Sequence, residues 1–265
     1  MNDERIITLT TDFGYRDPFA GEMKGVILSI NPAARIVDIT HGIEPQDVEQ
    51  GSFIIGSSYK YFPEGTIHVC VVDPGVGSAR RAIIIEAGGH YFIGPDNGLF
   101  SHVVAFSRGA KAVHITEKKC VLDMDSPTFQ GRDVFAPAAA WLSRGVKIGD
   151  FGPAINDFKR LAIPAPVIGK DYVTGAVIYR DRFGNAVTNI TKSALSSLGE
   201  SVSGEVKSKA IRLLKYYSQA EAGELACLVN SSGYLELFVN KGNAATMFDI
   251  KRGERVIVRA IIIPK

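Results

Sequence analysis

The sequence has little that would anchor it in a membrane, staple it covalently or hold a metal. No apolar run approaches the ~20 residues needed to span a bilayer, and the opening Met1-Asn2-Asp3-Glu4-Arg5 is charged, without an apolar signal core. A soluble, cytoplasmic protein that makes no membrane contact is expected. The three cysteines, Cys70, Cys120 and Cys227, are an odd number without metal-like spacing, which fits a reducing interior better than a disulfide framework. Cys70 lies inside an apolar strand pattern and reads as packing. His41, His68, His90, His102 and His114 show none of the usual ligand spacings, so no metal is expected. With 22% charged residues and a formal net charge of +2, there is no polyanion-binding stripe. Nucleic acid is therefore not an expected partner, and a small ligand is. Neither a Gly-x-Ser-x-Gly elbow nor a Walker loop is present.

What is present is a change of texture partway along 265 residues. Up to residue 158, β-like runs alternate with helical ones: a strand from Arg5 to Thr10, a helix opened by Asp17 and Pro18, a strand from Arg35 to Thr40, a helix from Asp47 to Tyr59, and strands at Thr66 to Val72 and Ala82 to Ala87. That repetition predicts a mostly parallel, Rossmann-like α/β domain. Pro164 and Pro166 mark a linker over 159–170. From 171 to 265 the runs are short and β-like, including Val173 to Tyr179, Tyr234 to Val239 and Arg255 to Ile263, and predict a small β-barrel domain.

The most informative stretch is Val72-Asp73-Pro74-Gly75-Val76-Gly77-Ser78-Ala79-Arg80. An acid leaves the carboxyl end of a buried strand and enters a Gly-rich turn, and in open α/β sheets ligands bind at that edge. Arg80 follows Asp73 by seven residues and can fold back beside it; the plainer alternative is a tight turn with a surface ion pair. Asp12 also ends a strand. Gly131, at a helix entry after Gln130, would bring free backbone N–H groups toward a ligand. Three later turns, around Asp181-Arg182-Phe183-Gly184-Asn185, Asn230-Ser231-Ser232-Gly233-Tyr234 and Asn240-Lys241-Gly242-Asn243, combine an aromatic or Gly with amides and hydroxyls. Such groups can stack on a purine and bond its edge, although each alone also reads as a hairpin turn.

Seven motifs in order, Thr11-Asp12-Phe13-Gly14, Asp38-Ile39-Thr40-His41, Val72 to Gly77, Pro95-Asp96-Asn97-Gly98-Leu99, Gly131-Arg132-Asp133, Phe183-Gly184-Asn185 and Asn230 to Tyr234, give the chain its resemblance. It resembles the S-adenosylmethionine hydroxide adenosyltransferases, the adenosine-forming S-adenosylmethionine hydrolases related to fluorinase and chlorinase. The resemblance covers nearly the whole chain. It implies an α/β domain followed by a β-barrel, a homotrimer with ligand sites between subunits, and S-adenosylmethionine as substrate with no cofactor. By the same resemblance, Asp12 and Gly131 bind substrate, Asp181 the methionine amino group, Phe183 and Asn185 the adenosine, Ser231 the methionine carboxylate, and Lys241 adenine through its backbone. Asp73 and Arg80 match the acid and arginine that surround the attacking water.

The family's usual histidine is Gln130 here. Gln can orient a water but has no proton to exchange near neutral pH, and a general base is worth roughly 10²–10⁴ in rate. Because methionine leaves a sulfonium without needing an acid, in-line placement of water is expected to carry the reaction. The alternative is a non-catalytic or very slow S-adenosylmethionine- or adenosine-binding protein. Halide-dependent adenosyl transfer is the third reading, disfavoured because a carboxylate at position 73 repels a desolvated anion.

Overall fold

The structure, a computed structural model, describes residues 5–107, 109–123, 127–199 and 201–261. It divides into two compact units, residues 1–163 and 164–265. In the first unit, strands β1 (Ile6–Thr11), β2 (Arg35–Thr40), β3 (Ile67–Val71), β4 (Ala82–Ala87), β5 (His90–Pro95), β6 (Lys111–His114) and β7 (Ala154–Ile155) form one sheet in the order β2-β1-β3-β5-β4-β6-β7. Helices α1 (Phe19–Ile30), α2 (Val48–Ser58), α3 (Ser101–Ala105) and α4 (Ala136–Ser143) cover it.

The alternation of β3 explains the layering. Ile67, Val69 and Val71 point into one core with Met23 and Ile27 of α1 and Leu142 of α4, whereas Cys70 joins Ile55 of α2 and Val103 of α3 in the other. A strand buried on both faces reads as a nearly continuous apolar run, and in β3 the one polar residue, His68, is buried with its ring nitrogens placed on Thr8 and His90. Met23 and Ile27 are fully buried, and truncating either to Ala would cost about 2–5 kcal/mol. Asp47 caps α2 by accepting from the Gln50 N–H at 2.9 Å. Asp17 does not do the same for α1: Pro18 stands at the helix entry with no side-chain cap, and its carbonyl accepts from the Glu22 N–H.

Half of the sheet is uniformly parallel, β2-β1-β3-β5, and β4 runs against both β5 and β6. The cause is local. Gly88 and Gly89 join β4 to β5 with φ of 57° and 80°, the mirror-image turn that favours a two-residue hairpin over a helical crossover. The remaining strands keep the parallel sense, apart from the short β7 at the far edge.

The second unit is a closed barrel. Strands β9 (Tyr172–Arg180), β10 (Ala186–Thr191), β11 (Val202–Val206), β12 (Lys209–Leu214), β13 (Leu225–Val229), β14 (Tyr234–Val239) and β15 (Arg255–Ala260) run β10-β14-β13-β12-β11-β15-β9, and β9 pairs again with β10. The short β8 (Val167–Ile168) adds outside β9. Helices α5 (Lys192–Ser196) and α6 (Ala244–Met247) complete the unit. The strand expected to run to Ile263 reaches Ala260, and Ile263 itself lies outside the described residues. Val173, Val177, Leu235, Leu237, Val239, Val256 and Val258 fill the interior.

Candidate active site

In the first unit, β1 and β3 lie side by side and parallel, with Thr11 opposite Val71. Asp12 and Asp73 therefore leave the same edge of the sheet from neighbouring strands, which run about 4.8 Å apart. Asp73 and Arg80 do come together. Arg80 Nε donates to Asp73 Oδ1 at 3.0 Å and Nη2 donates to Oδ2. Both side chains are nearly buried, at 6% and 5% exposure, which separates this pair from a surface ion pair. The turn closes through the Val76 N–H on the Asp73 carbonyl, and Asn97 Nδ2 donates to the Val72 carbonyl at 2.8 Å to hold the strand end.

Arg80 also reaches the neighbouring segment: its guanidinium carbon stands 5.4 Å from the centre of the Phe135 ring. Phe135 ends a π-helical turn, Gly131–Phe135, that Gln130 opens and that runs directly into α4. A π turn widens the helix by one residue and recurs at functional sites. Gly131 is tightly packed: a Cβ there would lie 2.9 Å from Phe129 Cε2 and 3.3 Å from Met23 Sδ, so a larger residue must displace the Phe129 ring. Phe129 in turn packs edge-to-face with Phe13 and Phe19. Asp12, the Asp73 turn and the Gln130–Gly131 segment thus belong to one neighbourhood.

Asp12 is held by backbone: the N–H of Gln46, a residue in left-handed conformation at φ 67°, donates to Asp12 Oδ2 at 2.8 Å. Behind it runs a polar chain to which no role was given from the sequence. Thr11 Oγ1 and His41 Nδ1 are 2.7 Å apart, His41 Nε2 lies 3.2 Å from Asp38 Oδ1, and Lys24 Nζ donates to Asp38 Oδ2 at 2.6 Å. Burial pushes the Asp38 carboxyl up, but Lys24 and His41 outweigh it and the net direction is down. The available signal was the spacing of Asp38 and His41 at the end of β2, beside the end of β1.

The second unit carries the other group. Asp181 Oδ1 accepts from the Asn185 N–H at 2.8 Å and Oδ2 from its side-chain amide at 3.0 Å, closing the β9–β10 turn. Phe183 stands at the tip of that turn, 77% exposed. The Ala245 N–H donates to the Gly184 carbonyl and joins this turn to the segment after β14, where Lys241 takes a left-handed φ of 56°. Ser231 is exposed in the β13–β14 turn. It is separated from Lys241 by the length of β14, about 20 Å for six residues.

A seven-stranded closed barrel follows an α/β unit that carries a nearly buried acid–guanidinium pair at the carboxyl edge of its sheet, and the two define a two-unit α/β-plus-barrel class of protein. Residues 7–152 match the SAM hydroxide adenosyltransferase N-terminal domain and residues 175–257 its C-terminal domain. The chain belongs to the SAM hydroxide adenosyltransferase family. It is 37% identical over 257 residues to a Salinispora tropica protein named (R)-S-adenosyl-L-methionine hydrolase, covering 96% of this chain and 97% of that one. It is 28% identical to a fluorinase from Actinoplanes sp., covering 97% and 98%. A crystal structure of an uncharacterized conserved protein from Thermotoga maritima superposes with a TM-score of 0.90 at 33% identity, covering 96% of this chain and 99% of that one.

Proposed function

We propose that this protein is an enzyme that hydrolyses S-adenosylmethionine to adenosine and methionine. Water attacks the ribose 5′ carbon in line with the sulfonium. The new C–O bond forms as the C–S bond breaks, its electron pair passes to sulfur, methionine leaves as a neutral thioether, and one proton is released to solvent. Asp73 and Arg80 hold the water, with Gln130 adding an orienting hydrogen bond where relatives of this family usually have His. Asp12 and Gly131 contact the substrate from the first unit. Asp181, Phe183, Asn185, Ser231 and Lys241 supply the adenosine and methionine contacts from the second unit of a neighbouring subunit. The protein needs no cofactor and works as a homotrimer, in which case light scattering of the purified protein returns three times the 28.6 kDa chain mass; a monomer removes that part of the proposal.

The observation that carries the reading is the two-point clamp of Arg80 on Asp73 at the carboxyl edge of β3. With both carboxylate oxygens so engaged, each still has a lone pair to accept from water. The relatives named (R)-S-adenosyl-L-methionine hydrolase, at 32–37% identity, support the reaction class and suggest the (R) sulfonium epimer as the form consumed. Arg80 offsets the charge of Asp73, so the carboxylate repels a halide less than the sequence implies. The lower identity to fluorinase, 28%, now carries more of that distinction.

The test is incubation with each sulfonium epimer in ¹⁸O-water, with and without chloride, and mass analysis of the nucleoside. Heavy oxygen at the adenosine 5′ hydroxyl is the expected result. A halogenated nucleoside would overturn hydrolysis in favour of halide transfer. Gln130 favours one second reading, a binding protein without turnover; unchanged substrate with measurable affinity would establish that instead.

A further inference from the structure

Glu236 breaks the pattern of its strand. Along β14, Leu235, Leu237 and Val239 fill the barrel interior, so Tyr234, Glu236 and Phe238 point outward by the two-residue alternation of a strand. An outward Glu on a barrel should be solvated, yet Glu236 is only 4% exposed. It is covered because Ala220, Ala226, Leu228 and Phe238 form a small second cluster on that outer face, with the Tyr217 ring edge-on to Phe238 at 4.9 Å. Both carboxylate oxygens are used: Tyr217 Oη donates to Oε1 at 2.8 Å and Asn230 Nδ2 donates to Oε2 at 3.0 Å.

The second of these bonds reaches further. With its amide nitrogen committed to Glu236, Asn230 must turn its Oδ1 the other way, where it accepts from the Ser232 and Tyr234 N–H groups at 3.0 and 3.1 Å. The side chain of Asn230 therefore acts as the internal strut of the turn that carries Ser231, and Glu236 sets the strut's orientation. On its other side Glu236 pairs in register with Val187 of β10, two residues beyond Asn185, the partner of Asp181. Burial and then the nearby charge of Asp181 push the Glu236 carboxyl up, against the pull of its two donors.

We propose that Glu236 is a positioning residue for the amino-acid end of the substrate, fixing through Asn230 the turn that presents Ser231. This rests on the assignment of Ser231 and Asp181 to the methionine portion given above. Glu236 touches no substrate atom; it decides where the Ser231 turn stands.

The test measures binding by calorimetry of two unreactive probes, S-adenosylhomocysteine, which keeps the amino-acid end, and adenosine, which lacks it. Glu236→Met leaves Asn230 free to rotate and should weaken S-adenosylhomocysteine about 10- to 100-fold while adenosine stays within about twofold. Glu236→Gln should restore S-adenosylhomocysteine binding to within about threefold, because the Gln carbonyl can accept from Asn230 while its amide donates to the Tyr217 hydroxyl. Equal weakening of both probes by Glu236→Met would reduce Glu236 to a structural residue and overturn the proposal. So would a wild type that prefers S-adenosylhomocysteine and a Glu236→Met protein that does so equally. A wild type that binds the two probes alike would instead bring down the underlying assignment of Ser231 and Asp181.

Discussion

Arg80 grips both carboxylate oxygens of Asp73, seven positions earlier in the chain, Nε on Oδ1 at 3.0 Å and Nη2 on Oδ2, with both side chains nearly buried. The pair is therefore a stability element as well as a proposed water-holder. Removing either partner leaves a buried charge uncompensated, at about 3–5 kcal/mol. In urea unfolding, Asp73→Ala and Arg80→Ala should each show such a loss, and the double variant should fall short of their sum by about 1–3 kcal/mol. Strict additivity would mean that the two groups do not depend on each other. In turnover, Asp73→Ala should lose about 10²-fold or more with substrate affinity within about threefold. Near wild-type turnover would remove Asp73 from the mechanism.

Gln130→His should raise the hydrolysis rate by about tenfold or more if a base is what the site lacks. The gain should appear in kcat with an acid limb near the imidazole pKa of about 6.5. A rate that does not move would show that an orienting amide suffices.

Phe183 projects from its turn at 77% exposure, so Phe183→Ala should change unfolding stability by less than about 0.5 kcal/mol. If the ring stacks on adenine, adenosine affinity should fall by about 1–3 kcal/mol by analogy with base stacking elsewhere. Calorimetry with adenosine decides it, and unchanged affinity would take Phe183 out of the ligand contacts.

His68 gives the first unit a pH dependence. It is fully buried, Nδ1 sits 2.7 Å from Thr8 Oγ1 and Nε2 3.3 Å from His90 Nδ1. Burial first, and then His90, push its pKa down to about 3. Burial lowers His90 too, against the opposing charge of Glu64. The unfolded chain takes up protons near pH 6.5 that the folded one refuses, so stability is whole above that pH and falls toward pH 3, by about 1.4 kcal/mol per pH unit per proton. Unfolding at pH 7, 5.5 and 4.5 should show this slope, and His68→Gln should flatten it; an unaltered slope would assign the dependence elsewhere.

Lys207 and Ser208 join β11 to β12 with φ of 48° and 61°. Two non-glycine residues in the left-handed region carry strain. Lys207 compensates through its ammonium, which donates to the Asp249 carbonyl. Ser208→Gly should stabilise the barrel by about 0.5 kcal/mol or more; a lower urea midpoint would show that Ser208 is not strained.

That same turn explains part of what the sequence hid. β11 and β12 were not expected, because Lys-Ser is not the Asn-Gly that announces a two-residue hairpin, and Gly204 and the charged ends of these strands dilute their β pattern. The Asp73–Arg80 pair was legible because both residues belong to one short turn and the acid follows an apolar strand. By contrast, His41, Asp38 and Thr11 meet only because β1 and β2 are neighbours, and Glu236 reads as a solvent-facing position until the Tyr217 segment is laid over it. The reversal of β4 could be seen only by giving two consecutive glycines, Gly88 and Gly89, more weight than the repeating β–α rhythm.

The closure of the barrel sets an order of events during synthesis. β15 fills the gap between β11 and β9, and no strand made earlier can take that place. Until Ala260 has left the ribosome, β9 and β11 each present a bare backbone edge, the kind of surface on which strands of different chains mispair. The seven strands among the described residues of the first unit are all made by Ile155, and that unit can be finished while the second is still an open ladder, so the barrel is the part of this chain whose folding waits for β15.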